Sequence, residues 1–144
     1  MLKRLLQTDN SLTAFIVRIT VALVILPHGA QKLLGMFGGH GFKATMDYFT
    51  QGGTPAILAF LVIFTESIGA LLILIGFTTR IWAIMSTAIM MVAISMHAAN
   101  GFFMNWTGAQ QGEGFEYHLL VIGINIALII KGAGRWSVDR QLTK

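Results

Sequence analysis

Four stretches of nearly unbroken apolar residues divide the chain, and most polar residues lie between them. The stretches cover residues 12–34, 56–76, 80–99 and 117–131. A helix rising 1.5 Å per residue needs about 20 residues to cross the hydrocarbon core of a bilayer. The first three stretches meet that length, and none of the four alternates polar and apolar residues as a barrel strand would. The pattern predicts an all-α fold, an integral membrane four-helix bundle.

The composition supports a membrane protein and narrows its chemistry. Of the 144 residues, 55% are hydrophobic and 11% are charged, whereas soluble domains carry about 25% charged residues. We find no linker or low-complexity tract, so residues 1–144 are interpreted as a single transmembrane domain, with a glycine-rich loop over residues 35–55. The absence of cysteine excludes disulfides, iron–sulfur ligation, c-type haem attachment and thiol catalysis by this chain.

The basic residues are distributed unequally between the two sides of the predicted membrane protein. Four spans place both termini and the turn before Arg80 on one side, and the other side carries only Lys32 and Lys43. Basic residues concentrate on the cytoplasmic side of membrane proteins, so both termini are predicted to be cytoplasmic. This distribution explains the net charge of +4 without a nucleic-acid partner. The first side holds Lys3, Arg4, Arg80, Lys131, Arg135, Arg140 and Lys144.

Two charged residues, Arg18 and Glu66, interrupt the first and second apolar stretches. Ionised groups inside hydrocarbon are costly, and they persist when they pair, face the protein interior or have a function. One interpretation is an ion pair between Arg18 and Glu66 that locks two helices together. The other is that Glu66 holds or relays a proton, and the two interpretations are compatible.

A second polar group is predicted at the outer ends of the helices, because neighbouring spans run in opposite directions. His28 and Lys32 are four residues apart and share a helix face. We expect His28, Lys32 and the polar residues at the outer ends of the other spans to form a polar pocket near the outer leaflet. The candidate catalytic residues are Glu66, His97 and Glu116, and the candidate ligand-binding residues are Arg18, His28, Lys32, Asn100 and His118.

The order of several short motifs is similar to that of the DoxX family of small bacterial four-helix membrane proteins. The resemblance implies a multi-pass protein of the bacterial inner membrane. It also implies redox chemistry: quinone-linked thiosulfate oxidation, defence against quinones and oxidative stress, and complexes with redox partners. Without cysteine, this chain would need a partner for any chemistry that carries sulfur as a persulfide. The matching motifs are Arg18, His28-Gly29, Lys32, Gly35, Glu66, Gly69, Gly76, Thr79-Arg80, His97, Glu116 and residues 132–139.

These features favour a quinone-linked oxidoreductase, or a membrane subunit of a redox complex, and leave two alternatives. A quinone needs an apolar slot, donors to two carbonyl oxygens and a route for protons, which the histidines, Lys32 and the glutamates could supply. No glycine-rich nucleotide fingerprint is present, so electrons would come from a partner or a small reductant. The alternatives are a non-catalytic scaffold for redox partners and a haem or copper protein that binds through His28, His97 and His118. The sequence does not decide whether the chain is itself an enzyme, and it is compatible with a homo-oligomer.

Overall fold

All four apolar stretches form helices in the computed structural model, which describes residues 2–144 apart from the side chains of Leu2 and Arg4. The Arg4 side chain, counted above for the charge distribution, therefore lies outside the described residues. No strand occurs within residues 2–144, so the predicted all-α class is confirmed. A π-helical turn, Thr65–Gly69, interrupts α4, and a 3-10 turn, Ala98–Asn100, extends α5. The helices are α1 (Leu2–Leu6), α2 (Leu12–Leu34), α3 (Gly41–Gln51), α4 (Ala56–Ile75), α5 (Thr79–His97), α6 (Glu116–Lys131) and α7 (Val138–Leu142).

Three segments are long and apolar enough to cross a membrane. They are α2 with 23 residues, α4 with 20, and α5 together with its 3-10 turn with 22. Helix α6 has 16 residues and is therefore about 24 Å long, which is shorter than a hydrocarbon core of about 30 Å. By length and composition, three membrane crossings are supported, and α6 does not qualify by itself.

The helices α2, α4, α5 and α6 contribute to one buried apolar core. Outside it, the surface is also apolar: Leu23, Val92 and Leu120 are 58%, 61% and 65% exposed. A soluble protein would cover such positions with polar groups, whereas a lipid-facing surface requires apolar ones. The core comprises Val21, Ala22, Ile25, Ala70, Ile73, Ala83, Met90, Val121 and Leu128.

The glycine-rich segment predicted to be a loop contains the helix α3, which packs against α2 and α4. The rings of Phe42 and Phe60 meet edge to face with centroids 6.5 Å apart. On the exposed side, Lys43 Nζ donates to Asp47 Oδ2 at 2.8 Å, and this hydrogen bond raises the pKa of Lys43. The glycines at both ends of this segment predicted turns, but the residues between them form a helix.

At the end of the molecule where α1 and α7 lie, called here the tail end, polar side chains satisfy helix termini. The guanidinium group of Arg80 donates to the carbonyls of Ile129 and Ile130 at the end of α6. It also donates to the carbonyl of Leu5, in the last turn of α1, and to that of Gln7, directly after α1. Helix ends leave carbonyls without intrahelical partners, and Arg80 supplies those donors.

Asp139 performs the matching role for the start of α5. Its two carboxylate oxygens accept from the backbone N–H groups of Thr78 at 2.7 Å and Thr79 at 3.0 Å. We expect Asp139→Ala to destabilise the protein by about 1–2 kcal/mol, as loss of a helix cap does. Asp139→Asn, which keeps one acceptor oxygen, should lose less. Unfolding in detergent micelles measures both, and an Asp139→Ala variant as stable as the parent would contradict the cap.

Candidate functional site

An ion pair between a buried glutamate and a partly buried lysine joins α2 to α4. Lys32 Nζ lies 2.5 Å from Glu66 Oε2, with the Lys32 side chain 25% exposed and the Glu66 side chain 9% exposed. A buried charge is tolerated when it is paired and hydrogen-bonded. The pair therefore explains how a carboxylate is accommodated within an apolar helix.

The backbone contact that brings this pair together is the crossing of α2 and α4 at Gly29. A Cβ added to Gly29 would collide with the Glu66 carbonyl oxygen and would lie 2.5 Å from Ser67 N. Lys32 follows Gly29 by three residues and shares its face of α2. Glu66 lies on the π-helical turn, and such turns are frequent at functional sites.

Two histidines, His97 and His118, stack between α5 and α6, with ring centroids 4.9 Å apart and planes at 29°. His97 Nδ1 lies 3.1 Å from the carbonyl oxygen of Glu113, which can only accept, so Nδ1 is the protonated nitrogen. His118 is buried, and its Nδ1 has no hydrogen-bond partner among the described residues. The two histidines therefore differ: Nδ1 of His97 is hydrogen-bonded to a carbonyl, whereas Nδ1 of His118 has no partner among the described residues.

Tyr117 belongs with these residues, although the sequence prediction omitted it. Its ring lies against His28 and His118, with centroid distances of 6.1 Å and 5.5 Å. Its hydroxyl is buried and has no partner in the described part of the chain. The nearest signal in the sequence is its place directly before His118. We call His28, Lys32, Glu66, His97, Tyr117 and His118 the polar cluster, in which His28 lies one helical turn from Lys32 on α2.

Two predicted site residues, Asn100 and Glu116, hold the segment of residues 101–115 instead of joining the polar cluster. Glu116 Oε1 accepts from the Met104 N–H at 3.0 Å and from Trp106 Nε1 at 3.1 Å. Asn100 Nδ2 donates to the Glu113 carbonyl at 3.0 Å. Their contacts explain the shape of this segment, and its end of the molecule is called here the loop end.

The predicted ion pair between Arg18 and Glu66 is wrong, because Glu66 pairs with Lys32. Arg18 precedes Lys32 by 14 residues on one helix, which separates them by about 21 Å along its axis. Arg18 lies at the tail end, where it is 1% exposed and its Nη2 donates to the Trp136 carbonyl at 3.1 Å. A Cβ at Gly76 would collide with Arg18 Nη1, so a glycine is needed there. Arg18 therefore lies outside the polar cluster.

Two further predictions from the sequence concern a polar pocket and a bound metal ion. Within residues 2–144, no group of three His, Asp or Glu side chains is arranged to hold a metal ion. Cavities of about 380 and 330 Å³ lie at the tail end, lined in part by Arg80 and by Leu142 respectively. Five of the predicted residues do converge, but these cavities lie at the opposite end of the helices. The five are His28, Lys32, Glu66, His97 and His118.

The model of the DoxX family matches residues 13–106. The chain belongs to the DoxX family. Inner membrane protein YqjF of Escherichia coli (strain K12) is 30% identical over 129 residues, covering 90% of this chain and 91% of YqjF. The protein named "Putative oxidoreductase CatD" of Bacillus subtilis (strain 168) is 27% identical over 113 residues, covering 78% of this chain and 75% of CatD. Inner membrane protein YphA of Escherichia coli (strain K12) is 27% identical over 131 residues, covering 88% and 87%. No solved structure matches the chain.

The match confirms the DoxX resemblance inferred from the motifs. It covers α2, α4, α5 and the residues of the polar cluster on those three helices. Tyr117 and His118, on α6, lie beyond the matched residues. The polar cluster therefore combines side chains from the matched part of the chain with two from the helix that follows it.

Proposed function

We propose that this DoxX-family protein is a multi-pass four-helix bundle of the bacterial inner membrane with both termini in the cytoplasm. The excess of basic residues at the tail end supports this orientation. Helix α6 shares the core of the three longer helices through Val121 and Leu128, which supports a fourth crossing. A span about 6 Å shorter than the hydrocarbon core is accommodated by local thinning of the bilayer. Two relatives are named inner membrane proteins.

We further propose that the polar cluster binds a quinone and that the protein is a quinone-linked oxidoreductase or a membrane subunit of a redox complex. The observation that supports this is the pair of unused polar atoms, the Tyr117 hydroxyl and His118 Nδ1, beside a buried ion pair. Buried polar groups are nearly always hydrogen-bonded, so these two fit a ligand that brings its own oxygen atoms. A bound quinone supplies two-electron redox chemistry.

The side chains of the polar cluster have separate parts in this proposal. Tyr117 and His118 bind and orient a carbonyl-bearing ring. Lys32 donates to Glu66 Oε2 and holds this carboxylate within the polar cluster, where it can exchange protons with the ligand. His97, protonated on Nδ1, links the stacked rings to the Glu113 carbonyl at the loop end. The electrons come from a partner protein or a small reductant, and the oxidoreductase name given to CatD supports the reaction class.

The test is quinone binding by the purified full chain. We expect lipid extracts of the protein to contain quinone, and His118→Ala and His97→Ala to weaken binding of an added quinone about tenfold, as loss of one hydrogen bond would. His40→Ala is the matched control, since His40 is an exposed histidine in a loop. Extracts free of quinone, together with no binding of added quinone, would contradict the proposal.

The scaffold alternative predicts a different outcome for the same variants. A structural polar cluster would make each substitution lower the amount of folded protein while leaving the activity of each folded molecule unchanged. The haem and copper alternatives are tested by the absorption spectrum and by elemental analysis of protein purified without added metal. A Soret band or stoichiometric copper would replace the quinone proposal.

A further inference from the structure

The four helices that share the core leave four gaps through which the polar cluster could be reached from the side. Helix α2 lies between α4 and α6, and α5 lies on the other side of both. Each gap can be judged from the side chains that meet in it. Three of the gaps contain close contacts beside the polar cluster.

Between α2 and α4, the backbones themselves touch at Gly29 and Glu66, where even a methyl group does not fit. Between α4 and α5, the Trp82 ring lies 5.8 Å from the Phe64 ring. A Cβ at Gly69 would come within 2.6 Å of the same indole. Because these contacts lie on both sides of Glu66 along α4, both gaps are closed to a ligand.

Between α5 and α6, the stacked rings of His97 and His118 fill the gap at the loop end. Further toward the tail end, Asn125 Nδ2 donates to Ser86 Oγ at 2.9 Å between the same helices. Asn125 is fully buried and Ser86 is 4% exposed. This gap is therefore closed at two levels.

The gap between α2 and α6 differs from the others because an exposed polar side chain lies in it. The side chains that meet there are His28 and Tyr117, whose rings are tilted and 6.1 Å apart. His28 is exposed, as is the preceding Pro27, although both lie within a span that would otherwise present apolar residues to lipid. A polar residue at a lipid-facing position is costly and marks a functional position. The Tyr117 ring that His28 contacts carries the hydroxyl without a partner among the described residues.

We propose that the polar cluster is entered sideways from the bilayer, between α2 and α6, and that its ligand is a membrane-dissolved amphiphile whose head group carries hydrogen-bonding oxygen atoms. The entry route follows from the exposed His28, which contacts Tyr117 at the surface between α2 and α6. The head-group chemistry follows from the unused atoms of Tyr117 and His118. The identity of that amphiphile as a quinone rests on the proposed function. The entry route can be tested separately from quinone binding.

Two adjacent exposed leucines of α6 provide a matched pair for the test. Leu120 follows Tyr117 by three residues and lies on the same side of α6, the side that faces α2. Leu119 directly follows His118 and lies about 100° from it around the helix axis, on the side of α6 that faces α5. They are 65% and 44% exposed. Because the chain contains no cysteine, Leu120→Cys and Leu119→Cys each create a unique thiol at nearly the same depth.

The experiment modifies each purified variant with pyrene maleimide and measures binding of decyl-substituted benzoquinone by titration calorimetry. Because the alkyl tail of a ligand that enters here stays between α2 and α6 when the head group is bound, we expect the Leu120→Cys adduct to bind at least about tenfold more weakly. The Leu119→Cys adduct should bind like the parent. Equal binding by both adducts would overturn the sideways entry and leave the proposed function standing. No binding by the unmodified parent would overturn both.

A second measurement avoids any effect of the adducts on folding. The unmodified protein is photolabelled with a quinone that carries an azide on its alkyl tail, and the labelled peptides are identified by mass spectrometry. Labels on α2 and α6 near His28 and Leu120 support the entry route. Labels confined to the outer faces of α4 or α5 would overturn it.

Discussion

Gly29→Ala is expected to destabilise the protein by at least about 3 kcal/mol, the upper part of the range for overpacked cores. The added methyl group would meet the backbone of Glu66 and Ser67, and backbone atoms cannot rotate away as a flexible side chain can. Relief of the collision requires α2 and α4 to separate, which also pulls Lys32 from Glu66. Thermal unfolding in detergent, followed by circular dichroism and gel filtration, measures the effect.

Gly123→Ala is the matched control, because Gly123 also lies within an apolar helix but a Cβ there meets no atom within 4 Å. Alanine is favoured over glycine in helices by about 0.5–1 kcal/mol, so this variant should be as stable as the parent or slightly more stable. If both variants unfold at the same temperature, the close crossing of α2 and α4 is not present in the folded protein.

Lys32→Ala is expected to cost about 3–5 kcal/mol, the range for leaving one member of a buried ion pair without its partner. The Glu66 side chain is only 9% exposed, so little solvent can replace the lost ammonium group. The double variant Lys32→Met with Glu66→Gln removes both charges and should recover much of the lost stability. Unfolding by dodecyl sulfate in mixed micelles gives the free energies for this cycle.

Lys43→Ala serves as the control for removal of a lysine, because the Lys43–Asp47 pair is exposed and exposed pairs contribute little to stability. We expect no measurable change for this variant. A Lys32→Ala protein as stable as Lys43→Ala would contradict a stabilising role for the Lys32–Glu66 pair. A folded double variant that binds quinone but lacks turnover would assign proton transfer to the Lys32–Glu66 pair.

The sequence was sufficient for those properties that depend on local pattern. Long apolar runs without alternation define the membrane helices, since a helix satisfies its own backbone hydrogen bonds within hydrocarbon. The four-residue spacing of His28 and Lys32 placed them on one face, and both lie in the polar cluster. The DoxX motifs identified the family from short matches in a consistent order. Each of these conclusions uses only spacing along one helix or order along the chain.

Contacts between helices were decided by the tertiary structure. Arg18 and Lys32 were both available to neutralise Glu66, and the choice depends on where α2 crosses α4, which a single glycine determines through close backbone packing. Glu116 was expected to face the ligand, but it bonds to Met104 and Trp106 at the loop end. Tyr117 entered the polar cluster through its contacts with His28 and His118 on neighbouring helices.

The sequence by itself therefore determined the class, the family, the three long helices and the presence of costly polar groups inside them, because these follow from local hydrophobicity and helical periodicity. The tertiary structure decided which charges pair, which hydroxyl and imidazole remain without partners, and which gap between helices contains an exposed polar side chain. Those properties depend on the depth and rotation at which helices meet, and a shift of one residue along α2 would exchange one set of partners for another.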